Sequence, residues 1–129
     1  MGNLLEDASN WLEKIRHQHT TVPVEYKRGS DAVEVSASIG RTVFMVDNGH
    51  GILEETESRD FLLRTQDLVL GSSTTLPKRG DKILEAREGT VFTYEVMTPG
   101  KEPHYRYSDP HRRTLRIHTK QVAVENTSE

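Results

Sequence analysis

"TTLPKRGDKIL", residues 74–84, is the stretch on which the reading of this chain turns. Its centre, Arg79-Gly80-Asp81, invites an adhesion reading. Its closeness to "GSSTT" (71–75) invites a phosphate-loop reading. The local chemistry favours neither. Pro77 biases Leu76 toward extended conformations, and Gly80 supplies a backbone angle that other residues resist. Asp81 can close the turn with its own carboxylate, after which Ile83 points inward. A phosphate loop needs Gly, four residues, then Gly-Lys-Ser or Gly-Lys-Thr running into a helix, and that order is absent. The stretch reads as a corner that feeds a strand.

Strand patterns lie on both sides of it. Downstream, Lys82 to Glu85 forms a strand, "REG" a turn, and Val91 to Met97 a strand with Phe92, Tyr94 and Val96 on one face. After the turn-rich "TPGKEPHYRYSDPHRR", Thr114 to Thr119 reads as a strand. Leu115 and Ile117 face inward there, and Arg116, His118 and Lys120 outward. Upstream, Val22, Val24 and Tyr26 alternate with polar residues, "RGSD" turns, and Val33, Val35, Ala37 and Ile39 alternate again, as in an antiparallel hairpin. "RTVFMV" (41–46) could continue the second strand past a bulge at Gly40. "DNGHGILEETESRD" (47–60), with five acidic residues, reads as a mobile acidic loop. "FLLRTQDLVL" resumes the strand pattern and "GSSTT" follows as a linker.

The N-terminus has a different period. Leu4, Leu5, Ala8, Trp11, Leu12 and Ile15 recur at helical spacing over residues 3–18, with Asn3 and Glu6 spaced as a capping box. The expectation is mainly β: one domain, 1–129, holding a small antiparallel barrel or sandwich of about six strands over 21–119. An amphipathic helix precedes it, and residues 120–129 form a polar tail.

Composition bounds the function. Of 129 residues only 33% are hydrophobic and 29% are charged, which suggests a thin core whose order neighbours complete. The absence of cysteine excludes disulfides and thiolate metal sites. No apolar run approaches the ~20 residues that span a bilayer, so no membrane partner is expected. "MGNLLEDASNW" has early acids and no basic flank, unlike a signal peptide. Glu6 stands where myristoylation wants Ser or Thr. A net charge of −3 gives no global case for gripping DNA.

Side chains that carry chemistry do not converge in the sequence. His104, His111 and His118 are seven residues apart, without metal-ligand spacing, and His118 is expected in solvent beside Arg116 and Lys120. Glu54 and Glu55 adjoin in the acidic loop with nothing apolar to tune them. No Gly-x-Ser-x-Gly elbow occurs. The expectation is a protein that is not an enzyme and takes no cofactor or metal. The basic stretch from His104 to Lys120 carries Arg106, Arg112, Arg113, Arg116 and Lys120 with Tyr105 and Tyr107 interleaved. It fits either single-stranded nucleic acid or an acidic neighbour such as the 47–60 segment of another subunit.

The order "DFLLRTQDL", "LPKRGDKIL", "GTVFTYEV" resembles the lambda-type head–tail joining, or head-completion, proteins of long-tailed bacteriophages. The matching residues are Phe61, Arg64, Thr65, Asp67, Arg79, Gly80, Asp81, Ile83, Tyr94 and Val96, within a resemblance running from residue 4 to about 119. The resemblance implies a structural virion protein of the neck, made in the host cytoplasm. It implies a ring, generally of six copies, between portal–adaptor proteins and the tail terminator or tail tube, with DNA crossing the lumen. A tail terminator or stopper ring is the nearest alternative. A small β-barrel module for single-stranded nucleic acid is the more distant one. Asp47, His50, Glu54, Glu55, Arg112, Arg113 and Arg116 are the expected partner contacts. The long 98–113 excursion and the polar tail depart from the shorter family pattern.

Overall fold

The computed structural model describes residues 21–47 and 49–126. The helix expected over 3–18 and the last expected tail residues, 127–129, lie outside the described residues. The chain forms strands β1 (Thr21–Arg28), β2 (Asp31–Asp47) and β3 (Leu53–Arg64), then a 3-10 turn (Thr65–Asp67). Short strands β4 (Val69–Leu70) and β5 (Ser73–Thr74) follow, then β6 (Lys82–Arg87), β7 (Thr90–Val96), β8 (Tyr105–Tyr107) and β9 (Thr114–Asn126).

Every pairing is antiparallel, and the pairings close on themselves. β1 pairs with β2 and β6, β6 with β7, β7 with β9, β9 with β3, and β3 with β2. The mainly β barrel of six strands expected from the sequence is present, with edges removed where the circuit is paired. β8 takes the edge of β9 that β7 leaves: Tyr105 opposes Ile117, whereas Val96 opposes Thr119. The register between β7 and β9 slips between Thr93/Ala123 and Tyr94/Gln121, leaving Val122 as the extra residue of a bulge. Such a bulge bends the strand and increases its twist.

Alternate residues fill the barrel. Val24, Tyr26, Val35, Ala37, Phe61, Leu63, Ile83, Tyr94, Val96, Leu115 and Ile117 are buried, as period-two alternation requires. Phe61 and Tyr94 meet edge to face with centroids 5.3 Å apart. This inner row is short, in keeping with the low apolar content.

Three segments differ from expectation. Residues 53–60, read as part of a mobile acidic loop around 47–60, belong to β3. Their acidic side chains oppose apolar ones on β2, with Met45 facing Glu55 and Val43 facing Glu57. A ribbon that leaves the barrel buries little of either face and does not need alternating apolar residues, so low hydrophobicity did not mean loop. Gly40 pairs regularly with Asp60, with no bulge. Residues 120–126, read as polar tail, continue β9 because β7 offers them an edge, Phe92 opposing Val124. The "GSSTT" linker contains β5, which pairs with β4.

Candidate functional site

Strand sense divides the barrel into two ends. The β1–β2 turn, the starts of β6 and β9 and the ends of β3 and β7 lie at one. The start of β1, the end of β6, the start of β7 and the far half of β9 lie at the other, from which the β2–β3 hairpin projects as an arm.

At the first end sits the Arg79-Gly80-Asp81 corner. Gly80 has φ +94° with open space where a Cβ would stand, a conformation suited to glycine. The Lys78 amide donates to Asp81 Oδ2 at 2.9 Å and the Asp81 amide to the Lys78 carbonyl at 3.1 Å. Gly80 N donates to Val96 O, and Val96 N donates to Asp81 O. The Asp81 carboxylate is buried and faces β1. Arg28 donates to it through Nε (3.0 Å) and Nη2 (2.8 Å), and the Tyr26 hydroxyl donates to Oδ2. Burial would raise the Asp81 pKa, but Arg28 and Tyr26 outweigh it and hold it below its ordinary value. Burial, then the hydrogen bond to Asp81, pushes the Tyr26 phenol well above its own. Arg28 also donates to Thr75 Oγ1 and to the Leu76 carbonyl, tying the 75–81 segment to β1. Arg79 is exposed while Asp81 is spent internally, so the corner cannot present both charges to an adhesion receptor.

A second cluster braces the root of the arm. Asp60, fully buried, accepts from Thr42 Oγ1 (2.5 Å), Ser58 Oγ (2.6 Å), Arg116 Nε (2.7 Å) and His118 Nδ1 (2.8 Å). Burial alone would raise its pKa, and these four donors together lower it well below the carboxylate range. Arg116 also donates through Nη2 to the Arg41 carbonyl at 2.8 Å, over Gly40, where a Cβ would stand 3.1 Å from that nitrogen. His118 is therefore not in solvent as expected but 1% exposed. The 97–104 segment lies over it, since Met97 N donates to its carbonyl and its amide to His104 O. The residue type hid this: an outward position on an edge becomes interior once another segment crosses it.

The arm carries the exposed candidates. Paired residues share a face, so Val43, Met45 and Leu53 lie together with Glu55 and Glu57. This face continues the barrel's inner row, Ala37–Ile39 and Leu63–Phe61, beyond the point where the barrel ends. β1 pairs with β2 only as far as Ser38, and β9 with β3 only as far as Arg59. Val43, Met45 and Leu53 are 50%, 52% and 61% exposed. The opposite face is partly covered, since Gly100 lies close enough that a Cβ there would stand 3.5 Å from Phe44 Cδ2 and from Met45 O. At the barrel end of the inner row, Arg59 Nη2 meets the buried Glu85 Oε1 at 2.7 Å and Arg87 Nε meets Oε2 at 3.4 Å.

The expected contact residues fall into three places. Asp47, His50, Glu54 and Glu55 are exposed on the arm and its tip. Arg112 and Arg113 are exposed at the opposite end, where Thr65 N donates to Arg113 O. The 11 steps of β3 between these ends span roughly 36 Å at about 3.3 Å each. Arg116 is turned onto Asp60 and is only 20% exposed. Phe61, Tyr94 and Val96 are core, Arg64 is exposed, and Thr65 Oγ1 donates to Arg112 O. Asp67 lies half-buried in the 3-10 turn. Tyr105 and Tyr107 pack edge to face on each other, and Arg112 lies over Tyr107, so these rings do not form an open stacking platform. Among the described residues no three His, Cys, Asp or Glu side chains are grouped to hold a metal ion, and no helix is long and apolar enough to cross a membrane. Sequence reasoning missed the bonds of Arg28 and the Tyr26 hydroxyl to Asp81, the burial of Asp60, and the Val43–Met45–Leu53 face. Only the last had a signal of its own, the apolar, β-branched run in "RTVFMV".

A family model described as phage head-tail joining protein matches residues 2–126. A search of the curated proteins finds no match to the chain.

Proposed function

Since the chain belongs to the phage head–tail joining protein family, a structural family of the virion, we propose that it forms the neck ring that completes the filled head and receives the tail. In this reading about six copies close a ring. Portal or adaptor proteins lie on the head side and tail terminator or tube proteins on the tail side, and DNA passes through the lumen. The protein does this by binding alone, without catalysis. The observation that carries the reading is the arm: an inner row of apolar residues that leaves the barrel and stays bare. Isolated two-stranded ribbons are marginal in water, and contiguous exposed apolar residues rimmed by charge mark contact surfaces. Residues 42–47 and 53–58 also have no third strand among the described residues, which suits strand addition by a neighbour.

The test is a pair of substitutions, Met45→Asp with Leu53→Asp. The variant should keep the wild-type circular dichroism and melting temperature, because neither side chain touches the core. Filled heads assembled with it should remain tailless. Tail-bearing particles in normal number would overturn the proposal.

A further inference from the structure

A cleft on the outer face of β1, β6 and β7 brings five cations, Lys27, Arg28, Lys78, Arg79 and Lys82, together with the one carboxylate of Asp81. Half-buried Leu84 is its apolar floor, with Gly29 and Gly80 at its rim. Lys27 and Lys82 are direct cross-strand partners. Like charges placed opposite one another in a sheet repel and destabilise the pair. Lys82 finds relief in Glu95 at 3.2 Å, and Arg28 in Asp81. Lys27, Lys78 and Arg79 make no ion pair with any described residue. Among the described residues nothing stands within 4 Å of where a Cβ would be at Gly29 or Gly80, so no side chain covers the rim there. The fold thus holds together three cations with no ion-pair partner among the described residues, where an anion would offset the repulsion.

We propose that this cleft grips the phosphodiester backbone of duplex DNA. The identity of the anion rests on the neck reading, in which DNA is the polyanion nearest the protein, whereas the presence of an anion site rests on the cleft alone. A protein surface is the poorer fit. Protein interfaces deplete lysine at their centre and place apolar or aromatic anchors there, and this patch has no exposed large apolar residue at its middle. Contacts to phosphate carry no sequence information, so a few of them per subunit restrain packaged DNA while still allowing it to slide. The acidic arm lies at the other end of the barrel and does not compete within one subunit.

The experiment is fluorescence anisotropy of the full chain with a labelled 20-base-pair duplex, titrated from low salt upward. Three phosphate contacts predict a slope of log K against log[salt] of about −3. Lys78→Glu with Arg79→Glu should weaken binding more than tenfold and flatten the slope by about 2. Arg112→Glu with Arg113→Glu should change affinity less than threefold. Three outcomes overturn the proposal: no binding even at low salt, loss of binding only in the Arg112/Arg113 variant, or competition by inorganic phosphate at matched ionic strength, which would mark a small-anion site. Loss of head–tail joining in the Lys78/Arg79 variant, with no DNA binding by the wild type, would also overturn it and assign the cleft to an acidic protein. None of these touches the arm, so the cleft can fail while the neck reading stands.

Discussion

Arg116 reaches from β9 to Asp60 on β3, Nε to Oδ2 at 2.7 Å, and its outer nitrogen goes on to the Arg41 carbonyl of β2. One side chain therefore ties three adjacent strands where the arm leaves the barrel. Asp60 has no exposed surface, so removing the guanidinium leaves a charge in a poorly solvated place. Arg116→Met should cost about 3 kcal/mol by urea unfolding. In a double-mutant cycle, Asp60→Asn with Arg116→Met should show a coupling of about 1–3 kcal/mol.

The same cluster predicts a pH dependence. The Asp60 carboxyl is lowered in the fold relative to an ordinary carboxylate near 3.8, and Asp81 is lowered as well. The unfolded chain therefore binds protons first as pH falls. The stabilisation is complete above the ordinary carboxylate value and is lost as pH drops from there toward the folded value. The urea midpoint of the wild type should fall steeply below about pH 4. The stability gap between wild type and Asp60→Asn should narrow over the same range. A gap of constant size from pH 7 to pH 2.5 would show that the carboxylate is not stabilised by its donors.

Gly40 gives a steric version of this prediction. A Cβ there would stand 3.1 Å from Arg116 Nη2 and 3.3 Å from Leu62 Cδ1. Alanine asks the guanidinium to move by a few tenths of an ångström, whereas valine displaces it from the Arg41 carbonyl. Gly40→Val should cost about 1–2 kcal/mol and Gly40→Ala less than about 0.5 kcal/mol, because alanine regains backbone entropy that glycine loses.

What was legible in the sequence follows from which forces are local. Alternation of Val24, Tyr26, Val35 and Ala37, and of Phe61 and Leu63, reports burial residue by residue, so the barrel strands could be read. The turn chemistry of Pro77 and Gly80 is also local, and the corner stands where expected. Burial of Asp60 and His118 is not local. It arises because the 97–104 segment crosses β9 and because Arg116 and His118 reach Asp60 across sequence separations of 56 and 58. The acidic half of the arm was hidden for another reason. Its strand character comes from pairing with β2, and its own residues carry no apolar period.

The ion pair of Arg59 and Glu85 gives a fourth stability test. Glu85 is 3% exposed and Arg59 28%, with the guanidinium 5.1 Å from the Tyr94 ring centroid. Arg59 Nε has no hydrogen-bond partner among the described residues, so this pair is imperfectly satisfied. Glu85→Gln should cost about 2–3 kcal/mol, because it strands a half-buried cation. Replacing both residues by methionine should cost less than the single change, since the desolvation of two charges is then avoided. Thermal melts of the three variants would decide it, and a double variant less stable than Glu85→Gln would contradict the argument.

Asp81 and Arg79 make opposite predictions although they lie in one tripeptide. Asp81 receives Arg28, Tyr26 and the Lys78 amide, so Asp81→Asn leaves the Arg28 guanidinium without its counter-charge and should cost about 3 kcal/mol. It should also free the 75–81 segment, raising amide exchange at Gly80, which donates to the Val96 carbonyl, and at Val96, which donates to the Asp81 carbonyl. Arg79 is exposed and makes no described ion pair. Arg79→Ala should change stability by less than about 0.5 kcal/mol. Its effect should appear in DNA affinity instead, as the outer cation of the Lys27–Lys82 cleft. A stability loss for Arg79→Ala equal to that of Asp81→Asn would show that the corner acts as one structural unit and that its arginine is not held in reserve for a ligand.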